Sequence, residues 1–357
     1  MEFGIMTEAS MISSMDSLGT QPSAQAIQAR YQEVIEEALL GDELGYTVFG
    51  TSEQHFLAPL CSVSAGELIL ATVAALTKRI KVRTAITLLP FHQPVRVAEQ
   101  IATLDVLSNG RVEFGSGKGN SKLTAGGFNI DIAETEERWQ EGMDIVIRAW
   151  TQDEFSYQGK YYQVPPRRLS PKMIQKPHPK LWYAAISPAS HERAGQKGLG
   201  VMSLTVGVNL RQLEKRVKTY RAAIKQAEPY AGIVNDRFSV YCLAHCADTN
   251  EQARNEARAP MLAYLKGVVD LYEETLKASG SALDFGETRK TISDFDLLDR
   301  TDNVLVGDPQ TVIEKIKRYE SLGVEEIFFR MEGLPHDKVM KSIRLIGEHI
   351  IPHFKKH

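Results

Sequence analysis

Three stretches of this chain carry residue types at spacings that chemistry can use. The first is Ile186-Ser187-Pro188-Ala189-Ser190. Ser187 reads as a helix cap, Pro188 as the first helical residue and Ser190 as the third, so the helix start offers N–H groups and hydroxyls to an anion. The same spacing equally describes an ordinary capped helix; the company of Lys118 and Arg138, two cations able to reach a phosphate there, shifts the balance. The second stretch is Ser52-Glu53-Gln54-His55-Phe56. His55 reads either as a satisfied strand-end histidine or as an acid or base tuned by Glu53. The third is Gly115-Ser116-Gly117-Lys118-Gly119. A dinucleotide or phosphate loop needs a helix opening on its last glycine, whereas the next helical pattern here starts near Glu134, past Gly126-Gly127-Phe128, and that reading is set aside.

The elements that must position these residues follow a regular rhythm. Val82, Thr84, Ile86 and Leu88 alternate as in a strand, with Pro94 at the start of a helix whose apolar Val97, Ile101, Leu104 and Leu107 stop at Asn109-Gly110. A short strand, Val112 to Phe114, leads into the Gly115–Gly119 loop. Around this β-α-β unit we expect strands at Glu2–Met6, Thr47–Thr51, Leu181–Ile186, Val201–Leu204, Phe238–Cys246 and Ile327–Met331. Helices are expected at Ala24–Leu44, Val63–Leu76, Glu136–Trp150, from Pro188, Leu210–Ala227, from Asn250, Pro309–Leu322 and Asp337–Ile351. Eight strand–helix repeats over a single domain, 1–357, point to a (β/α)8 barrel, a TIM barrel with long insertions in its βα loops. Two excursions, 151–180 and 267–301, interrupt the rhythm. The prolines of the first exclude helix or central strand; the polar, Gly-dotted second reads as a loop and candidate lid. In such a barrel the active site lies where strands end, so Glu53, Gln54, His55, Ala85, Ile86, Lys118 and Ser187 could face one bowl.

Composition narrows the function classes. With 43% apolar residues the chain can bury a large core, and a formal net charge of -3 with scattered Lys and Arg gives no case for nucleic acid. No run approaches the roughly 18 apolar residues of a membrane span, and Met1 leads directly into a strand, so a cytoplasmic protein is expected. Three cysteines do not suggest a disulfide framework. On a strand, Cys242 and Cys246 of CLAHC share one face while His245 points to the other; no metal site is expected.

The residues LLPFHQPVRVAEQIATLDVLSNGRVEFGSGKG, together with SEQHF upstream, YAAIS and ASHERAGQKG, and VGDPQTVIEKIKRYESLGVEEIFF, resemble the bacterial-luciferase-like flavin monooxygenases. The resemblance runs essentially end to end. It implies a (β/α)8 barrel, a homodimer, and an enzyme that takes reduced FMN from a separate NAD(P)H-dependent flavin reductase. Such enzymes react that flavin with O2 to a C4a-hydroperoxyflavin and oxygenate a small organic substrate. By position it assigns Lys118 and Arg138 to the flavin phosphate, with Ser187 and Ser190 at the same phosphate. It places Glu53, Asn120 and Ala185 along the flavin, and Ala85-Ile86 as a cis peptide beneath the ring. Gln54 stands where the luciferase has a histidine linked to light emission, and Gly117 where it has a reactive cysteine, so dark oxygenation is expected. His55 is then the acid/base candidate, and Gln54 a partner of flavin or substrate. Met11, Phe56 and Phe91 are candidate substrate contacts that fit ordinary packing equally well. A deazaflavin-dependent hydride transfer, or a non-catalytic luciferase-like subunit, are the competing readings.

Overall fold

A computed structural model describes residues 1–278 and 285–355. The first half alternates strands β1 (Glu2–Thr7), β2 (Val48–Thr51), β3 (Lys81–Leu88) and β4 (Val112–Gly117) with helices α1 (Ala24–Leu44), α2 (Gly66–Leu76) and α3 (Pro94–Leu107). After β4 come α4 (Lys122–Gly127), α5 (Thr135–Thr151), and a hairpin of β5 (Phe155–Gln158) and β6 (Gln163–Arg167). Next are β7 (Leu181–Ala184), α6 (Pro188–Gln196), β8 (Gly200–Leu204), α7 (Leu210–Ala223) and β9 (Phe238–Cys246). The chain continues through α8 (Asn250–Ala278), α9 (Phe285–Ser293), α10 (Phe295–Arg300), β10 (Val304–Gly307), α11 (Pro309–Ser321), β11 (Glu326–Arg330) and α12 (His336–Leu345).

Strands β1-β2-β3-β4-β7-β8-β9-β11 pair in parallel, and β11 returns to β1, closing a (β/α)8 barrel. β9 outlasts its neighbour: β8 ends with Leu204 opposite Tyr241, and β10 takes over from Val304 opposite Leu243 to Gly307 opposite Cys246. The expected eight strands are therefore joined by a ninth, β10, stacked on the barrel's upper edge.

Local chemistry sets the element ends. Ser23 accepts the Ala26 N–H and opens α1, and Gly45 closes it in the left-handed conformation at φ 83°. Pro94 begins α3, and the left-handed Asn109 and Gly110 turn the chain into β4. One face of each strand packs on the helices: Val82, Leu181, Val201, Val240 and Cys242 join the main core. Cys61, Cys242 and Cys246 are buried free thiols, and His245 turns away from them to Glu256 at 2.8 Å.

The other strand face fills the barrel. Near the strand starts the fully buried Arg83 donates to Glu113 at 2.8 Å and to Glu326 at 2.6 Å, and stacks on Trp182, whose indole N–H also reaches Glu113. Above this layer neighbouring side chains fill the places of two glycines. A Cβ on Gly50 would lie 2.8 Å from the Phe328 ring, and one on Gly117 would lie 2.2 Å from Ile86 Cδ1.

Several boundaries differ from those expected. β4 runs on to Gly117, so Gly115–Gly117 are strand and not loop: a Cβ on Gly115 would sit 2.2 Å from the Thr84 carbonyl, which only glycine allows. A helix, α4, opens soon after, capped by Ser121, well before Glu134. Residues 63–65 stay outside α2 because Val63 pairs its carbonyl with the Gln54 N–H. α7 ends at Ala223 and tightens into a 3-10 turn, and β7 ends at Ala184. Most of 267–301 is helical rather than loop, because Ile292, Phe295 and Leu298 bury against α8 and β10 in a second core. Residues 279–284 of that candidate lid lie outside the described residues. The proline-rich excursion contributes only the β5–β6 hairpin, separate from the barrel sheet.

Candidate active site

At the C-terminal end of the barrel, β2 and β3 are hydrogen-bonded neighbours, so the loops that follow them emerge side by side. The β2 loop carries Glu53 and His55, and the turn after β3 carries His92. Glu53 Oε1 meets His55 Nε2 at 2.8 Å and His92 Nε2 at 2.7 Å, while its Oε2 accepts the Leu88 N–H at 3.1 Å. The Glu53 side chain is 7% exposed, that of His55 11% and that of His92 30%. Burial works against the Glu53 carboxylate, but the hydrogen bonds from His55 and His92 outweigh it and hold its pKa below the usual value. Burial likewise opposes a charge on His92, and the Glu53 partner overcomes it and raises that pKa.

An aromatic wall stands over this group. Phe128 meets His55 edge-on at 4.7 Å, stacks with Phe91 at 5.7 Å and touches Phe56 at 5.9 Å. Phe56 adopts a left-handed backbone at φ 63°, rare for a bulky residue, and is 61% exposed. Gln54 is half-buried between Glu53 and His55, its N–H on the Val63 carbonyl.

Across β3 the expected Ala85–Ile86 cis peptide is present, inside a register shift in which β3 spends one residue more than β4 between Thr84 and Thr87. Ile86 thereby lies over Gly117. Ala85, Gly117, Ala184 and the buried Ala185 are the small residues at and just past the ends of β3, β4 and β7, with the Ile86 side chain filling the space beside Gly117. Asn120 follows the left-handed Gly119.

The basic residues divide. Lys118, just past β4, is 3.6 Å from Glu136 Oε2, and the same oxygen takes Arg193 of α6 at 3.0 Å. Glu136 thus ties Lys118 to the helix that Ser187 caps. Ser187 and Ser190 form a reciprocal cap: the Ser190 N–H donates to Ser187 Oγ at 3.2 Å, and the Ser187 N–H to Ser190 Oγ at 2.9 Å. Arg138 pairs with Glu134 at 2.9 Å and lies over the Tyr161 ring at 4.4 Å. Beneath the cap, His191 bridges the Ser187 carbonyl and Ser203, and burial pulls its pKa down to about 4.

Against known families, the luciferase-like monooxygenase pattern matches residues 1–326. This chain belongs to the luciferase-like monooxygenases. It is 24% identical to the oxygenase component of a flavin-dependent trigonelline monooxygenase from Acinetobacter baylyi, covering 91% of this chain and 90% of that one. It is 27% identical to an FMNH2-dependent dimethylsulfone monooxygenase from Pseudomonas putida, over 85% of this chain and 80% of the relative. Among solved structures, monooxygenase RslO1 from Streptomyces bottropensis superposes with a TM-score of 0.82 at 25% identity, covering 99% and 100% of the two chains.

In this luciferase-like chain, the sequence singled out Glu53 and His55 but not His92, which the structure brings to the same carboxylate. The available signal was its place directly after β3, where barrel function concentrates.

Proposed function

We propose that this protein is the oxygenase component of a two-component flavin-dependent monooxygenase. It would take reduced FMN from a separate flavin reductase and, with O2, oxygenate a small organic substrate without emitting light. The observation that carries this reading is a Glu53-centred histidine pair at the barrel end that also holds the Ala85–Ile86 cis peptide, in a chain of this family. Bound reduced flavin would supply two electrons to O2, so that one oxygen atom enters the substrate and the other leaves as water.

The chain's own residues divide the remaining work. Ala85, Ile86, Gly117 and Ala185 would face the ring, with Asn120 and Gln54 as hydrogen-bonding neighbours. Lys118, Ser187 and Ser190 would hold the phosphate, Lys118 exchanging its Glu136 contact for it. Arg138, now on Glu134 and Tyr161, would be a further cation for that phosphate. His55, oriented by Glu53, would hold or release a proton at the mouth, and Phe56, Phe91 and Phe128 would keep water away.

The test needs no substrate: reduced FMN and the protein are mixed with aerated buffer, and flavin absorbance is followed. The expected result is a return of oxidised flavin much slower than in free solution. Oxidation at the free-solution rate overturns the proposal and leaves the deazaflavin or subunit readings to be tried with their own ligands.

A further inference from the structure

We propose that Glu53, His55 and His92 form a binding site for one divalent transition-metal ion of the zinc or cobalt type. The donor atoms, Glu53 Oε1 and the two Nε2 atoms, all lie within 4.8 Å of one another, the one such group of three among the described residues. Both nitrogens already converge on the same oxygen, at 2.8 and 2.7 Å. With metal–nitrogen and metal–oxygen distances of about 2.0–2.2 Å, tetrahedral ligands stand roughly 3.3 Å apart, so each of the two Glu53–His pairs need open by only about half an ångström.

The surroundings suit a ligand set. Glu53 Oε2 is fixed by the Leu88 N–H at 3.1 Å, which leaves Oε1 as a single-oxygen ligand already oriented by an outer hydrogen bond. The three residues stand on loops whose parent strands pair directly, Thr51 opposite Thr84, so the sheet sets their separation. His92 is 30% exposed, which provides an entry path, and three protein ligands leave room for water in the remaining positions. Two imidazoles and one carboxylate select zinc, cobalt, nickel or ferrous iron over magnesium or calcium.

The ion would stand where the two Nε2 protons now face Glu53, each proton moving to the ring's Nδ1 or to solvent as the Nε2 lone pair binds the metal. It therefore excludes the proton-holding role of His55, and the metal-loaded form would be an inhibited one. This inference stands on the donor geometry and goes beyond the flavin reading.

Cobalt titration of the flavin-free full-length protein tests it, by visible absorption and equilibrium dialysis. The expected result is one ion per chain with ligand-field bands. His92→Asn and His55→Asn each abolish those bands, and Glu53→Gln weakens binding at least tenfold. His353→Asn, remote in the C-terminal segment, leaves the titration unchanged, and magnesium fails to compete. Circular dichroism establishes that each variant is folded. For one that is not, proton NMR of the cobalt-loaded wild type decides, with two paramagnetically shifted imidazole N–H or C–H sets expected. Absence of ligand-field bands in the wild type, or undiminished binding by folded His92→Asn, overturns the site. Because no flavin is present, that failure leaves the monooxygenase reading untouched.

Discussion

Replacing Glu53 by glutamine keeps the shape of the side chain and removes its charge. The carboxylate accepts three hydrogen bonds, from His55, His92 and the Leu88 N–H. A glutamine amide oxygen can keep Leu88, and its NH2 has one hydrogen for each histidine, but both rings must then change tautomer and neither bond is charge-assisted. At 7% exposure water cannot substitute fully, so the loss is about 1.5–3 kcal/mol, the usual worth of a hydrogen bond to a charged group. The effect depends on pH in a fixed direction. The raised His92 pKa contributes stability that is complete below the unfolded value of about 6.5 and is lost as pH rises through the folded value. The lowered Glu53 pKa contributes stability above the unfolded value of about 4.3, lost as pH falls through the folded value. The pair is thus strongest between about pH 4.3 and 6.5. In the variant burial acts on His92 against the Glu67 charge alone, and its pKa falls from the raised wild-type value. Urea denaturation at a pH near 5.5 should show the full deficit and at 8.5 a smaller one, while NMR of the His92 Cε1 proton reports its titration. Equal urea midpoints at the lower pH, or an unmoved His92 titration, would refute the reasoning.

Arg83→Met leaves Glu326 buried without its cation and Glu113 with Lys81 alone at 3.1 Å, and should cost about 3–5 kcal/mol, read as a lower denaturation midpoint. Arg96→Met, at the 70%-exposed end of a surface pair, should cost under about 1 kcal/mol in the same assay. Gly115→Ala drives a Cβ to 2.2 Å from the Thr84 carbonyl, so the barrel must shift; we expect a loss of at least about 3 kcal/mol, or insoluble protein, by the same denaturation. Gly126→Ala in α4 meets nothing within 4 Å and should be neutral or stabilising by up to about 1 kcal/mol.

The barrel was legible because its local signals agree. Ala24–Leu44 has a serine cap, a glycine stop and an amphipathic interior, and the observed helix has those bounds. Phe238–Cys246 is an apolar, β-prone run and forms that strand. Glycine and charge defeated the reading elsewhere. Gly115 and Gly117 resemble loop residues in sequence, yet they are strand positions where the barrel has no room for side chains. The polar composition of 267–301 hid helices held by a few widely spaced residues such as Phe295 and Leu298. Arg83 breaks the apolar pattern of its strand, and its partners lie 30 and 243 residues away, beyond any local rule. His92 was missed for a similar reason, since its meeting with Glu53 depends on the pairing of β2 with β3. By contrast the cis bond at Ala85–Ile86 was anticipated through the family resemblance, and no residue-level signal points to it.

The central claim is that Lys118 and the α6 start receive the phosphate of reduced FMN. Anaerobic titration with reduced FMN and reduced riboflavin, which differ only in that phosphate, measures it. A charge-assisted contact of about 1.5–3 kcal/mol makes wild-type protein bind reduced FMN at least about tenfold tighter than reduced riboflavin. In Lys118→Ala that preference should shrink about tenfold or more while riboflavin binding holds. Equal affinity of the wild type for the two ligands, or a Lys118→Ala variant that weakens both alike, would contradict the account.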